Sequence, residues 1–436
     1  MGDEQKNTAG GIMRIAAHRW GYAVAAILAV AALACATHLF WPQRALPAPP
    51  INSLASSFEQ GRYLAALGNC QTCHTTKGGK PFAGGVKFDT PFGVLYSTNI
   101  TTDRETGIGR WSFEDFYHAV KGGVRPDGTH LYPAFPYNSF ARLTDADIAS
   151  LYVFVKTIEP ARAAAKPNEM RFPYNMRFGL RAWNKLFHDS SAYAPDRAKS
   201  AEWNRGAYLV QSIGHCGGCH TPRNLLGAER SDLALTGGVL NDEVRPGKYR
   251  EWSAVNLTPA KSGLGGWSGA SIAEYLQKGA CERAVVHGPM TEVVMNSTRH
   301  LRDGDARAIA TYLQGLPASS QGTGRRADQQ QLTAGETAYT VHCGTCHLPT
   351  GLGDEVLGVT LAGNAIVQAA DPSSFINVIL YGPHLPPPPF VVDRTRMKSF
   401  GKRLSDEDIA SLATYVRSSF GNQAGAVSVH QVAGQR

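Results

Sequence analysis

The sequence predicts an all-α chain: three tandem small helical domains after an N-terminal transmembrane helix. Three observations carry that expectation. The pattern C-x-x-C-H occurs three times, at Cys70-Gln71-Thr72-Cys73-His74, Cys216-Gly217-Gly218-Cys219-His220 and Cys343-Gly344-Thr345-Cys346-His347. Each copy sits between a short helical lead-in and an amphipathic closing helix. The first fifty residues hold one long apolar run. Composition agrees: 46 Gly and 25 Pro in 436 residues favour loops over long sheets or coiled coils. A 43% hydrophobic and 18% charged content excludes a wholly disordered chain. The formal charge of +8 is spread along the sequence without a basic run. It gives no support to nucleic acid as a partner and suits an anionic lipid surface or an acidic protein.

The motif spacing dictates a chemistry. C-x-x-C-H is the attachment signature of c-type haem. Two thiols add across the two vinyl groups of one porphyrin, and two intervening residues let both sulfurs reach the same edge. The next side chain then lies over the ring face, where an imidazole binds iron. Cys70, Cys73, Cys216, Cys219, Cys343 and Cys346 are therefore the attachment residues of three covalent haems c, and His74, His220 and His347 the proximal ligands. Redox dithiols or half zinc sites explain neither the following His nor the threefold recurrence. The fold expected is three tandem class I cytochrome c domains. Covalent attachment requires export, which places the domains in the periplasm.

The N-terminus fits that placement. Gly21 to Trp41 is an apolar stretch interrupted only by Thr37 and His38. As a helix it covers about 30 Å, a hydrocarbon core. Lys6, Arg14 and Arg19 precede it, and Trp20, Tyr22, Phe40 and Trp41 bracket it. A cleaved signal peptide is the competing reading, with Ala32-Leu33-Ala34 and Ala34-Cys35-Ala36 as small-residue sites. Because aromatics flank a full span, the segment is read as a retained inner-membrane anchor.

The organisation then follows. Residues 1–50 are anchor and linker, 51–160 the first cytochrome c domain, 161–200 a connector and 201–317 the second domain. Residues 318–330 are a linker, 331–422 the third domain and 423–436 a tail. The lead-ins open Gly61-Arg62-Tyr63-Leu64, Gly206-Ala207-Tyr208-Leu209 and Gly335-Glu336-Thr337-Ala338. The closers begin at Leu143, Leu301 and Leu404, with Thr144 and Ser405 as N-caps. Ile148, Leu151 and Val155, like Ile409, Leu412 and Val416, share a helix face and pack a core. The first two domains also share Gly84-Gly85-Val86 with Gly237-Gly238-Val239, and Ser97-Thr98-Asn99-Ile100-Thr101 with Ala254-Val255-Asn256-Leu257-Thr258. They read as a duplicated pair.

The sixth iron ligands differ between domains. Met290 and Met397 stand eleven and seven residues before their closing helices and suit a ligand loop. Met295 is the rival of Met290. The first domain has no Met between His74 and the end of its closer, and Phe135 stands at the equivalent place. His130 is the candidate there, with His118, Met170, Met176 and an open position as alternatives.

Nearly the whole chain, from about Phe58 to Asn422, resembles the triheme cytochrome c subunit of bacterial periplasmic dehydrogenases. The resemblance rests on Leu131-Tyr132-Pro133-Ala134-Phe135-Pro136-Tyr137, Ser200-Ala201-Glu202-Trp203-Asn204-Arg205-Gly206, Cys219-His220-Thr221-Pro222-Arg223-Asn224, Gly288-Pro289-Met290-Thr291-Glu292 and Ser399-Phe400-Gly401. Alcohol dehydrogenase members carry Met where Phe135 stands. Phe there is more similar to cytochromes that accompany molybdenum hydroxylases. The resemblance implies a catalytic dehydrogenase partner, of molybdenum-hydroxylase or flavin/quinone type, and electron delivery to ubiquinone.

The expected function is electron transfer through three haems from a dehydrogenase to ubiquinone or the respiratory chain. No flavin fingerprint or hydrolytic constellation stands on this chain, so substrate oxidation belongs to the partner. The rival is a haem enzyme, peroxidase-like, acting at the Met-less first haem with His118 or His130 as distal base.

Overall fold

The protein is described by a computed structural model over residues 24–41, 47–245, 248–322, 324–354, 356–383 and 397–436. In the first repeat, helix α1 (Phe58–Leu67) is capped by Ser57, whose hydroxyl accepts from the Gln60 amide at 3.1 Å. A hairpin follows, β1 (Lys87–Thr90) and β2 (Gly93–Tyr96), then α2 (Phe113–Gly122) behind a Ser112–Asp115 capping box. The repeat closes with α3 (Asp145–Val155), capped by Thr144 and carrying Asp145 and Asp147 in its first turn, where the helix dipole favours them. The connector contributes β3 (Glu169–Met170) and α4 (Gly179–Phe187). Trp183 on α4 donates to the Leu226 carbonyl at 2.9 Å, so α4 lies against the second repeat.

The second repeat runs α5 (Ala201–Gln211), the strands β4 (Gly238–Arg245) and β5 (Lys248–Ala254), α6 (Gly269–Lys278), α7 (Pro289–Asn296) and the closer α8 (Asp303–Gln314). The third is shorter: α9 (Gln329–His342), α10 (Ser373–Tyr381) and the closer α11 (Asp406–Ser418), followed by α12 (Val429–Gln435). Ser405 and Asp408 form a capping box at α11.

One packing device recurs three times. Each lead-in crosses its closer at a glycine. A Cβ on Gly61 would strike the Ser150 carbonyl oxygen, on Gly206 that of Ala308, and on Gly335 that of Ser411. Only a missing side chain lets the two backbones approach so closely. The same crossing meets Phe154, Tyr312 and Tyr415, four residues beyond each struck carbonyl.

The apolar core is divided unevenly. Leu64, Leu67, Ile148 and Leu151 of the first repeat share one cluster with Leu209, Ile213, Ile309 and Leu313 of the second. The third repeat keeps its own cluster, centred on Tyr339, Ile376, Leu380, Ile409 and Leu412. Its seam with the second repeat is polar: the Ser253 amide donates to Ser374 Oγ at 2.9 Å and Asn377 Nδ2 donates to the Glu251 carbonyl at 2.7 Å.

Two expectations are corrected. The chain is not all-α. Strands β1, β2 and β3 form a three-stranded antiparallel sheet, and β4 and β5 a two-stranded one. Lys87 pairs with Tyr96 and Leu240 with Trp252. Val, Phe, Tyr and Trp supply β1, β2, β4 and β5, which pair as near neighbours in the chain, whereas β3 returns from the connector to place Met170 opposite Gly93. Nor is an N-terminal transmembrane anchor supported. Residues 24–40 are helical, yet among the described residues no helix is long and apolar enough to cross a membrane. An inner-membrane location resting on that anchor loses its support. Residues 21–23 and the flanking Lys6, Arg14, Arg19 and Trp20 lie outside the described residues.

Candidate haem-attachment sites

Each C-x-x-C-H motif folds into one tight turn. The amide of His74 donates to the Cys70 carbonyl at 3.1 Å, that of His220 to Cys216 at 2.9 Å, and that of His347 to Cys343 at 2.9 Å. This winding carries the first Cys and the His of each motif round to one side of the turn. Entry to the first two turns needs a left-handed residue, Asn69 at φ 54° and His215 at φ 36°.

The imidazoles are held identically. Nδ1 of His74 lies 2.7 Å from the Thr98 carbonyl oxygen, Nδ1 of His220 is 2.7 Å from that of Val255, and Nδ1 of His347 is 2.8 Å from that of Val359. A carbonyl only accepts, so Nδ1 carries the proton and Nε2 keeps its lone pair. Burial holds all three rings below their ordinary pKa, against the raising effect of that bond, which favours the neutral form. A neutral imidazole with Nδ1 anchored and Nε2 open is the state an iron ligand requires.

Four of the thiols lack the lowered pKa of a redox dithiol. Burial pushes Cys70, Cys216 and Cys343 up to about 12 and Cys73 to about 11. Reactive dithiols show the opposite shift. Among the described residues no three His, Cys, Asp or Glu side chains gather as a metal cage. A haem fits what is present. Beside Met290, Trp252 Nε1 and Thr291 Oγ1 are buried without a protein partner. Such orphaned groups are rare unless a ligand meets them, and porphyrin carboxylates take donors of this kind.

Residues not singled out as functional from the sequence steer the first two rings. Asn99 accepts from the Thr101 amide and hydroxyl at 2.9 and 2.7 Å and donates to the Ala161 carbonyl at 2.6 Å. Asn256 repeats this with Thr258, at 2.8 Å twice, and with the Ser319 carbonyl at 2.7 Å. Both asparagines are buried and each immediately follows the carbonyl that holds the histidine. The signal lies in the matched Asn-x-Thr triplets, which by themselves mark only duplication.

The sixth-ligand candidates are placed as follows. Met290 is half-buried in the first turn of α7. Gly288 before it takes φ 56°, and a Cβ there would meet the Trp252 ring at 2.6 Å, so this backbone is fixed against β5. Met397 is half-buried on the third core. His130 lies beside α4, with Nδ1 2.9 Å from Asn184 Nδ2; Asn184 in turn accepts from the Tyr137 hydroxyl at 2.6 Å. Burial, then Arg181, keeps the His130 ring below its ordinary value. Met170 is tied into β3 opposite Gly93.

The chain is similar over nearly its full length to proteins of one kind. It is 37% identical over 394 residues to the cytochrome c subunit of alcohol dehydrogenase (quinone) from Gluconobacter oxydans, covering 86% of this chain and 81% of that one. The chain belongs to the cytochrome c subunits of dehydrogenase complexes. This cytochrome subunit is also 37% identical over 398 residues to the gluconate 2-dehydrogenase cytochrome c subunit of Pantoea cypripedii, covering 87% and 89%. It is 41% identical over 413 residues to a nicotinate dehydrogenase subunit of Pseudomonas putida. That match takes in 92% of the cytochrome subunit but spans only 34% of the longer relative. A family profile described as cytochrome C oxidase, cbb3-type, subunit III matches residues 330–416, the third repeat. Covalent haem c and electron transport follow from this membership.

Proposed function

We propose that the cytochrome subunit holds three covalent haems c, at Cys70/Cys73, Cys216/Cys219 and Cys343/Cys346, and relays electrons from a catalytic dehydrogenase to ubiquinone. The observation that carries this is the threefold repetition of an imidazole pinned through Nδ1 beside a paired-thiol turn. Bound haem supplies a one-electron carrier. The chain attaches it through six sulfurs and binds iron through Nε2 of His74, His220 and His347. Met290 and Met397 are the sixth ligands of the second and third sites. At the first, His130 takes the sixth position or it stays open. Phe135 and the likeness to the nicotinate dehydrogenase polypeptide support a molybdenum-hydroxylase partner.

Intact mass and a pyridine haemochrome assay on the purified chain test the count. Three haems are expected in the wild type and two in each double Cys→Ala variant of one motif. A colourless protein with the mass of bare polypeptide overturns the reading. For the first site, a His130→Ala variant with an unaltered low-spin spectrum removes His130 as a ligand. Copurification identifies the partner: a molybdenum-containing polypeptide is expected, and a flavoprotein would reject the hydroxylase.

A further inference from the structure

The first two repeats meet through contacts that are exchanged between matching positions. Tyr63 and Tyr208 occupy the same place in their lead-ins, as do Gln60 and Arg205. Asp147 and Asp305 occupy the same place in the closers, as do Thr144 and Arg302. The Tyr63 hydroxyl donates to Asp305 Oδ2 at 2.6 Å and accepts from the Arg302 amide at 3.4 Å. In mirror fashion, the Tyr208 hydroxyl donates to Asp147 and accepts from the Thr144 amide at 3.2 Å. Each aspartate is also gripped from within its own repeat. Gln60 Nε2 donates to Asp147 Oδ1 at 3.0 Å, and Arg205 donates to both oxygens of Asp305 at 2.7 and 2.8 Å. Reciprocal contacts of this form define an isologous interface, here between two halves of one chain.

The attachment turns lie close to the axis of that symmetry. Gly68, just before the first turn, touches Ile213, just before the second. A Cβ on Gly68 would lie 2.9 Å from Ile213 Cδ1. His215 Nε2 reaches the Gly68 carbonyl at 3.4 Å. Gly68 is two residues before Cys70, and His215 is the residue before Cys216. The two attachment turns therefore flank the axis.

We propose that the first two repeats form a single pseudo-twofold dihaem unit, in which Tyr63, Asp305, Tyr208 and Asp147 are positioning residues that fix the gap between two attached haems. The proposal rests on the attachment reading above. Across the gap one electron leaves a ferrous iron and reduces the ferric iron opposite; no proton or further reactant is consumed. The four side chains touch neither iron. They act by locking the lead-in of each repeat to the closer of the other.

The test uses the holoprotein and its Tyr63→Phe/Tyr208→Phe double variant, which removes two hydroxyls and no ring. Haem content is measured first by pyridine haemochrome. Electron paramagnetic resonance of the ferric wild type is expected to show mutual broadening of two haem signals, relieved when one of the two is reduced. In the double variant that broadening weakens, and electron exchange within the pair slows severalfold, because tunnelling falls steeply as the gap widens. Ser374→Ala, at the seam of the third repeat, leaves the pair unchanged. Three attached haems with no interacting pair in the wild type overturn the proposal, and that measurement needs no variant to fold. An unchanged interaction in a fully loaded double variant overturns the role of the tyrosines. A content below two haems removes the attachment reading and this proposal together.

Discussion

Asn99 and Asn256 do their work one residue away from the groups they serve. By tying off a threonine on one side and a distant carbonyl on the other, each fixes the peptide whose oxygen holds a histidine. Replacing Asn256 by Ala leaves the buried Thr258 amide without its acceptor, while the Thr258 hydroxyl still donates to the Ser319 carbonyl at 2.9 Å. A loss of about 1–3 kcal/mol is expected for groups left unsatisfied in a dry site. Urea denaturation of Asn256→Ala measures it, and the reduction potential of one haem should move in the same variant because the His220 ring loses its rest. Unaltered stability and potential would show that the triplet is only structural filler. The paired thiols and the histidines that follow them stand out by residue spacing. The asparagines cannot be weighed so, because their role depends on partners 62 and 63 residues distant.

Helices are the legible elements. Thr144 and Ser405 cap where their hydroxyls and the acidic residues behind them say they should. The strands are not, and the reason lies in their sequence. β4 carries Asn241, Asp242, Glu243 and Arg245, a charged run that looks like a loop until β5 is laid beside it. Glycine count misleads in the same way: some of those glycines are neither turns nor linkers but helix crossings. Gly335→Ala forces a methyl group against the Ser411 carbonyl, and overpacking of this kind costs about 1–3 kcal/mol. The loss is expected to appear in the third repeat alone, because α9 and α11 belong to a separate core. Gly61→Ala should instead weaken the joint core of the first two. Limited proteolysis or hydrogen exchange, read repeat by repeat, distinguishes these outcomes; a uniform loss in both variants would refute the division.

At the scale of the whole molecule the duplication is visible in the sequence, but its consequence is not. Matching motifs suggest two separate domains, whereas an apolar core runs through both. The clasp between them is sensitive to acid. Burial alone would raise Asp305, but the bonds from Arg205 and Tyr63 win and hold its carboxyl below the usual range. A carboxylate depressed in the folded state adds stability above its unfolded pKa of about 4, and that contribution disappears as pH falls through the lower folded value. Asp305→Asn should therefore destabilise the protein at pH 7 and converge with the wild type in strong acid. Urea midpoints at pH 7 and pH 3 check this, and a constant difference between the two would contradict it.

The Tyr63–Asp305 bond joins residues 242 positions apart. Long-range closure of that kind is slow and comes late in folding. The surroundings of the earliest attachment site are thus finished only after most of the polypeptide has been synthesised.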